Sequence, residues 1–264
     1  MHSANGSGGT GDVPLSLNIF IINNFIIFYR VGQYYLKNRL SFFGESTMFM
    51  SILWESIFEL KDRYPFMKIS LIENYIPVLS FGTGEEVTLY LAGFTREQWQ
   101  GSIVALKFFE DMMHSLKTGE NMSGVNLSKA IFGKKISLIP CVCPKKMSDI
   151  ESAHIGILPV AKYCSHLSLK GIYVIKSSGD KIYESEASGE FYHRAKQIGK
   201  VLSSCCNLPL VTEKDKSDEA RFCTWAGSVL GVPSFSLELG VNAPSGIDAA
   251  YEGKKEMLLI SALI

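Results

Sequence analysis

Residues 93–97, with the sequence Gly-Phe-Thr-Arg-Glu, are the first place in this chain to look for chemistry. They follow residues 87–91, a run of β-branched, aromatic and leucine residues that is typical of a strand buried on both faces. Thr95 is a residue type that caps helices. Apolar residues then recur at helical intervals of three and four, at Trp99, Ile103, Leu106, Phe109 and Met113. A loop between a buried strand and a helix lies at the carboxyl end of a sheet, where α/β proteins have their sites.

Two glutamates could carry chemistry at such an edge. Glu97 ends the loop, and Glu238 lies in a second apolar stretch, residues 231–240. A glutamate in the first turn of a helix is favoured by the helix dipole, which gives Glu97 a purely structural interpretation. Glu238 is harder to explain in that way, because an unpaired carboxylate in a buried strand is costly.

The histidines and cysteines do not form a recognisable ligand set. His154, His166 and His193 lack ligand-like spacing, and surface or capping roles are favoured for them. Cys141 and Cys143 alternate along a predicted strand, where a packed strand is favoured over a thiolate site, and no histidine is placed to activate Cys143 as a nucleophile. The six cysteines mostly lie in apolar runs, which predicts reduced, buried thiols and favours a cytoplasmic protein.

The segment around residues 87–113 resembles the first zinc-binding segment of the zinc carboxypeptidases, closest to the bacterial γ-D-glutamyl-L-diamino acid (murein peptide) peptidases. In that family the motif is His-x-x-Glu, and both the histidine and the glutamate bind zinc. Here it reads Phe94-Thr95-Arg96-Glu97. The resemblance therefore implies that Glu97 is the one retained metal ligand and that Phe94 replaces the other. Arg96 falls where some members have a substrate-contacting arginine, although a solvated surface arginine is the favoured alternative.

Three further phrases resemble the family in the same order. Residues 60–65, Leu-Lys-Asp-Arg-Tyr-Pro, resemble the start of the domain. Residues 176–183 resemble the loop that carries the third zinc ligand, a histidine whose position is occupied here by Lys176. Residues 231–240 resemble the strand that carries the general base, and Glu238 stands in its place.

One family segment is not recognisable. After the predicted strand 136–142 only Pro144 matches the family's Asn-Pro-Asp-Gly, and residues 147–170 contain no equivalent of the Asn-Arg pair that grips the substrate carboxylate. This shortening predicts a shallower or filled groove that binds free amino acids and dipeptides weakly or not at all.

These substitutions bear on catalysis, because a catalytic zinc needs three protein ligands and one open position. Phe94 cannot bind a metal, and Lys176 could do so only as the neutral amine. The sequence therefore predicts a degenerate, non-catalytic homologue that has no cofactor and binds a peptide or protein partner. The alternative is an active metallocarboxypeptidase with an altered zinc site, cleaving peptides or murein peptides.

The retained carboxylates lead to a geometric prediction. Without zinc, Glu97 and Glu238 would be buried negative charges, and at least one would be forced towards protonation. The ammonium of Lys176 can reach into such a site. We expect Lys176 Nζ within about 4 Å of a carboxylate oxygen of Glu97 or Glu238, with Phe94 filling the space of the missing histidine.

The elements that position these residues follow from the apolar patterns. The resemblance implies a three-layer α/β/α domain with a mixed central sheet over residues 48–264, preceded by a partly disordered extension, residues 1–47. The patterns predict helices over 48–63, 190–206, 218–230 and 251–264, and strands over 68–73, 77–81, 87–91, 136–142, 170–175 and around Glu238.

Length and composition agree with one large α/β domain. The chain has 264 residues, of which 47% are hydrophobic, and equal numbers of basic and acidic residues, 26 of each. This balance gives no electrostatic reason to expect nucleic acid or an anionic membrane as partner. The apolar runs between residues 14 and 35 are interrupted by asparagines and do not reach the roughly 18 residues that a membrane-spanning helix needs.

Overall fold

The computed structural model describes residues 45–95, 98–143, 157–184, 190–212, 217–241 and 246–264. The strands are β1 (Lys68–Ile72), β2 (Ile76–Gly82), β3 (Val87–Leu91), β4 (Lys135–Ile139), β5 (Leu169–Lys176), β6 (Ile182–Glu184), β7 (Leu210–Val211) and β8 (Ser234–Glu238). The helices are α1 (Glu45–Arg63), α2 (Trp99–Thr118), α3 (Leu127–Ala130), α4 (Ile157–Cys164), α5 (Glu190–Cys206), α6 (Asp218–Trp225) and α7 (Ile247–Leu263). Helix α6 continues as a wider π-helical turn over Ala226–Leu230.

The strands form one mixed sheet in the order β1-β2-β4-β3-β5-β8-β6-β7. Its centre is parallel, since β3 pairs in parallel with β4 and β5, and β5 pairs in parallel with β8. Strands β1, β2 and β6 run antiparallel to their neighbours β2, β4 and β8. The carboxyl ends of β3, β5 and β8 therefore lie side by side at one edge of the sheet.

Helices cover both faces of this sheet. Successive strand residues point to opposite sides, and both sides carry apolar side chains that the helices bury. On one face the rings of Tyr90, Tyr173 and Phe235 stack across β3, β5 and β8, with centroids 5.5 and 5.8 Å apart. Helices α2 and α7 cover this layer, through a ring contact of Phe108 with Tyr90 and a hydrogen bond from the Tyr90 hydroxyl to the carbonyl of Leu258.

The opposite face carries an aliphatic layer. Residues of β3 and β5 pack there against helices α4 and α6 in one buried cluster that includes Leu89, Leu91, Ile172, Val174, Val160, Cys164, Phe222 and Cys223. These two layers of helices with the sheet between them confirm the predicted three-layer α/β/α architecture.

Several predicted boundaries shift in the structure. The first helix begins at Glu45 and the last at Ile247, both earlier than predicted. Strand β4 ends at Ile139, before the predicted residue 142, because Pro140 follows it and lacks the amide hydrogen that would continue the ladder. The prediction that Thr95 caps α2 is wrong. The helix begins at Trp99, after Gln98, and the Gln98 side chain accepts a hydrogen bond from the backbone of Ser177.

None of the helices in the described ranges is both long enough and apolar enough to cross a membrane. The domain boundary predicted at residue 48 lies inside α1, and the remainder of the predicted extension, residues 1–44, lies outside the described residues.

Helix α2 packs directly on the backbone of β5 through Gly101, where a Cβ would lie only 2.9 Å from the carbonyl oxygen of Ile175. We expect Gly101→Ala to lower the free energy of unfolding by about 1–2 kcal/mol, because helix and strand must move apart. Gly253 of α7 is the matched control: a Cβ there meets nothing within 4 Å. Gly253→Ala should raise the free energy of unfolding by about 0.5–1 kcal/mol through helix propensity. Urea denaturation measures both, and equal effects at the two positions would contradict the close packing.

Candidate functional site

The carboxyl ends of β5 and β8 bring Lys176 and Glu238 together. They are the last residues of their strands and stand opposite each other in the parallel ladder. Lys176 lies two residues after Val174, so its side chain points to the face that α6 covers. Glu238, three residues after Phe235 of the aromatic layer, points to the same face.

The two side chains form an ion pair in which Glu238 is buried and Lys176 is largely buried. Lys176 Nζ lies 3.6 Å from Glu238 Oε1, and the side chains are 14% and 6% exposed. The ammonium also lies 5.9 Å from the ring centroid of Tyr183 in β6, within the range of a cation–π contact. The predicted ion pair is therefore confirmed for Glu238.

The loop from β5 to β6 closes around the Glu238 carboxylate. Its residue Gly179 has a φ of +85°, and a Cβ there would lie 1.9 Å from Glu238 Oε2. Only glycine allows this approach, both for its φ and for its missing side chain. Burial raises the pKa of the Glu238 carboxyl, while the charge of Lys176 and its hydrogen bond, together with Lys181, act in the opposite direction.

Phe94 lies beyond the end of the neighbouring strand β3 and belongs to the apolar core. It is 1% exposed, and its ring packs edge-on against Phe222 of α6 with centroids 5.8 Å apart. The preceding Gly93, with a φ of +65°, allows the turn that places it there. The position that the family resemblance assigns to a histidine ligand therefore holds a packed aromatic ring.

Glu219 is a second buried acid that the sequence analysis missed. It lies in the first turn of α6, is 2% exposed, and no donor among the described residues bonds its Oε1. Burial raises the pKa of its carboxyl, which the charge of Lys176 lowers in part. A sequence signal was present: Glu219 shares a helix face with Phe222, Cys223 and Ala226, three buried residues, so an acid stands on an apolar face.

Glu97 and Arg96, as well as Pro144 and His154, lie outside the described residues, and their roles stay predictions. The same holds for the predicted groove, since residues 144–156 belong to it. His166 and His193 are exposed, as the surface interpretation predicts.

The donors that the described residues offer at this edge of the sheet do not fit zinc. Phe94 offers no lone pair, and the amine of Lys176 is engaged with Glu238. Within the described ranges no three histidine, cysteine or acidic side chains are grouped so that they could hold a metal ion. Cys141 and Cys143 follow β4 as buried residues, and burial raises the pKa of the Cys141 thiol far above its usual value, which disfavours a thiolate.

Comparison with known proteins identifies solved structures that share the fold. No protein-family profile matches the sequence, and no curated protein matches it. Solved structures do match. The thrombin-activatable fibrinolysis inhibitor is 12% identical over 80% of this chain and 72% of its own, with a TM-score of 0.59. The bovine inhibitor in complex with tick carboxypeptidase inhibitor is 10% identical over 80% and 94%, with a TM-score of 0.56.

A metallo-carboxypeptidase from Burkholderia cenocepacia is 10% identical over 78% of this chain and 67% of its own, with a TM-score of 0.54. At these identities the likeness shows the fold alone: this chain has the same fold as these structures, one of which is a metallo-carboxypeptidase. The predicted resemblance is confirmed at that level.

Removal of the ammonium should expose the cost of the buried acid. We expect Lys176→Ala to lower the free energy of unfolding on the order of 3 kcal/mol, because it strands the buried Glu238 carboxylate. Lys254→Ala is the matched control: Lys254 Nζ lies 2.8 Å from Asp180 Oδ1, whose side chain is 69% exposed. That loss should stay below about 1 kcal/mol. Chemical denaturation measures the free energy of unfolding of both variants. A decrease below about 0.5 kcal/mol for Lys176→Ala would contradict a structural role for the pair.

The raised pKa of Glu219 predicts a pH dependence. Above about pH 4.3 the unfolded chain releases this proton, whereas the folded chain retains it until the higher folded pKa is reached. The folded state then binds more protons, so the free energy of unfolding falls as pH rises through that window. The Glu219→Gln side chain cannot ionise. Between about pH 4.5 and about pH 7.5, the free energy of unfolding of this variant should therefore fall less than that of the wild-type chain. Denaturant unfolding at each pH measures this. The exposed Glu252→Gln is the control, and parallel curves for all three proteins would refute the assignment.

Proposed function

We propose that this chain is a non-catalytic protein with the zinc-carboxypeptidase fold, and that it binds a peptide or protein partner instead of hydrolysing peptides. The observation that carries the proposal is the ion pair of Lys176 with Glu238. It places the chain's own ammonium beside the residue that the resemblance assigns as general base.

Two observations oppose hydrolysis by the family mechanism. A general base must reach the proton that it removes from a water, and the Glu238 carboxylate is instead held by Lys176 and enclosed by the loop at Gly179. A catalytic zinc needs three protein ligands, and two of the three family positions are occupied by Phe94 and Lys176.

Binding is the activity that survives these changes. The fold retains the carboxyl edge of a parallel sheet, the place at which α/β proteins receive ligands. One of the similar structures, the bovine thrombin-activatable fibrinolysis inhibitor, is in complex with a protein inhibitor from tick. That complex supports a protein or peptide as the class of partner for this fold.

The proposal predicts the metal content of the protein. The chain purified from zinc-supplemented medium should contain far less than one equivalent of zinc, measured by plasma mass spectrometry, and should not release amino acids from peptides or murein peptides. About one equivalent of zinc that is lost on chelation, together with peptidase activity, would instead establish the alternative of an active metallocarboxypeptidase with an altered site.

The double variant Phe94→His with Lys176→His is the matched comparison, since it restores the two imidazole ligands that the resemblance assigns to these positions. We expect it to bind zinc where the wild-type chain does not. Absence of zinc from both proteins would contradict the claim that these two residues are what abolishes the metal site.

A further inference from the structure

Strand β1 (Lys68–Ile72) is an end strand of the sheet, and among the described strands only β2 pairs with it. In an antiparallel pair, alternate residues of each strand direct their N–H and C=O groups to the partner strand. The other residues of β1 therefore direct these groups away from β2, to the side on which no described strand lies. Such an open row of donors and acceptors is a template for one more strand.

Exposed apolar side chains lie along this edge. Ile69 stands opposite Leu79 of β2, which places it on the same sheet face as Tyr90. Leu71, two positions further along β1, shares that face and is 47% exposed. Phe66, two residues before the strand, is 44% exposed. A strand added to β1 would therefore remove apolar surface from water as well as satisfy backbone groups.

The two ends of β1 carry opposite charges. Lys68 begins the strand and Glu73 follows its last residue, and both side chains are exposed. The positive φ values of Glu73 (+48°) and Asn74 (+65°) turn the chain away at that point. An antiparallel copy of the same strand brings each lysine next to the glutamate of the other copy, whereas a parallel copy would place like charges together. The edge is therefore complementary in charge to itself in the antiparallel direction.

We propose that β1 pairs with β1 of a second copy of this chain, antiparallel, about a two-fold axis that passes between the two Ser70 residues. All five residues of each strand then overlap. Ile69 of each copy lies opposite Leu71 of the other, which joins the apolar side chains into one strip. Lys68 lies opposite Ile72, one position before Glu73. A two-fold interface of this kind uses the same patch on both subunits and has to be self-complementary.

This self-association goes beyond the proposed function and does not depend on it. Strands β2, β4 and β3 separate β1 from β5 and β8, the strands that carry Lys176 and Glu238. The zinc content of the protein can therefore contradict the proposed function without affecting the dimer, and the oligomeric state can contradict the dimer without affecting the proposed function.

Sedimentation velocity of the full chain under reducing conditions, from micromolar to submillimolar concentrations, tests the interface. We expect a reversible equilibrium between monomer and dimer. Leu71→Asp should weaken dimerisation about tenfold or more, because it places a carboxylate in the apolar strip. Leu158→Asp is the matched control: Leu158, in α4, is also an exposed leucine, and its variant should dimerise as the wild-type chain does. A chain that stays monomeric throughout this range, or a dimer that Leu71→Asp leaves unchanged, would overturn the proposal.

Ser70→Cys tests the register of the two strands. Ser70 is exposed and lies on the proposed axis, so the two introduced thiols of a dimer face each other. Opposite residues of antiparallel strands have Cα atoms about 4.5–5.5 Å apart, within the range of about 4.4–6.8 Å that a disulfide spans. Oxidised glutathione, which accepts the two electrons and two protons of the thiols, should therefore convert Ser70→Cys into a disulfide-linked dimer.

The wild-type chain is the control for this reaction, because Cys205 already provides an exposed thiol. It should form far less of the linked dimer under the same conditions. Equal cross-linking of the two proteins would overturn the register. A Ser70→Cys thiol that is protected from alkylation, in a chain that sedimentation shows to be monomeric, would mean that another part of the same chain covers the edge, and this result would also overturn the proposal.

Discussion

The pairing of Lys176 with Glu238 at the end of the β5–β8 ladder is the interaction on which the site depends. The register of two parallel strands places the two residues opposite each other, and the side-chain alternation sends both towards α6. Both strands lie in the centre of the sheet, so Glu238 is buried and Lys176 is largely buried. A charge at one of these positions therefore requires a partner at the other.

A buried ion pair is not in itself a strong source of stability, because desolvation of both charges offsets their attraction. Its consequence here is specificity of arrangement. With the ammonium in place, the loop at Gly179 can close over the Glu238 carboxylate, and Glu219 can remain buried on the apolar face of α6. Phe94, packed on Phe222, makes the neighbouring strand end apolar. These contacts together enclose the charged groups at the strand ends to which the family resemblance assigns a metal site.

Sequence reasoning predicted the parts of this arrangement that depend on strand ends and periodicity. The buried strand before Phe94, the helices around it and the contact of Lys176 with Glu238 follow from apolar patterns and from the resemblance. Glu219 was missed because its neighbour Lys176 is 43 positions away along the chain (219 − 176), and only the packing of α6 on the sheet joins them. The cap of α2 was assigned to Thr95 because residue type favours it, whereas the side chain of Gln98 bonds Ser177 of another element. Such tertiary contacts override local propensity.

We propose that an ammonium of the chain occupies the place that the family resemblance assigns to the metal. A crystal structure of the wild-type chain grown with excess zinc, with data collected at the zinc absorption edge, tests it most directly. The account predicts no anomalous peak within coordination distance of Glu238 and a Lys176 Nζ that remains within about 4 Å of its carboxylate. An anomalous peak bound by Glu97 or Glu238, with Lys176 turned away, would contradict it.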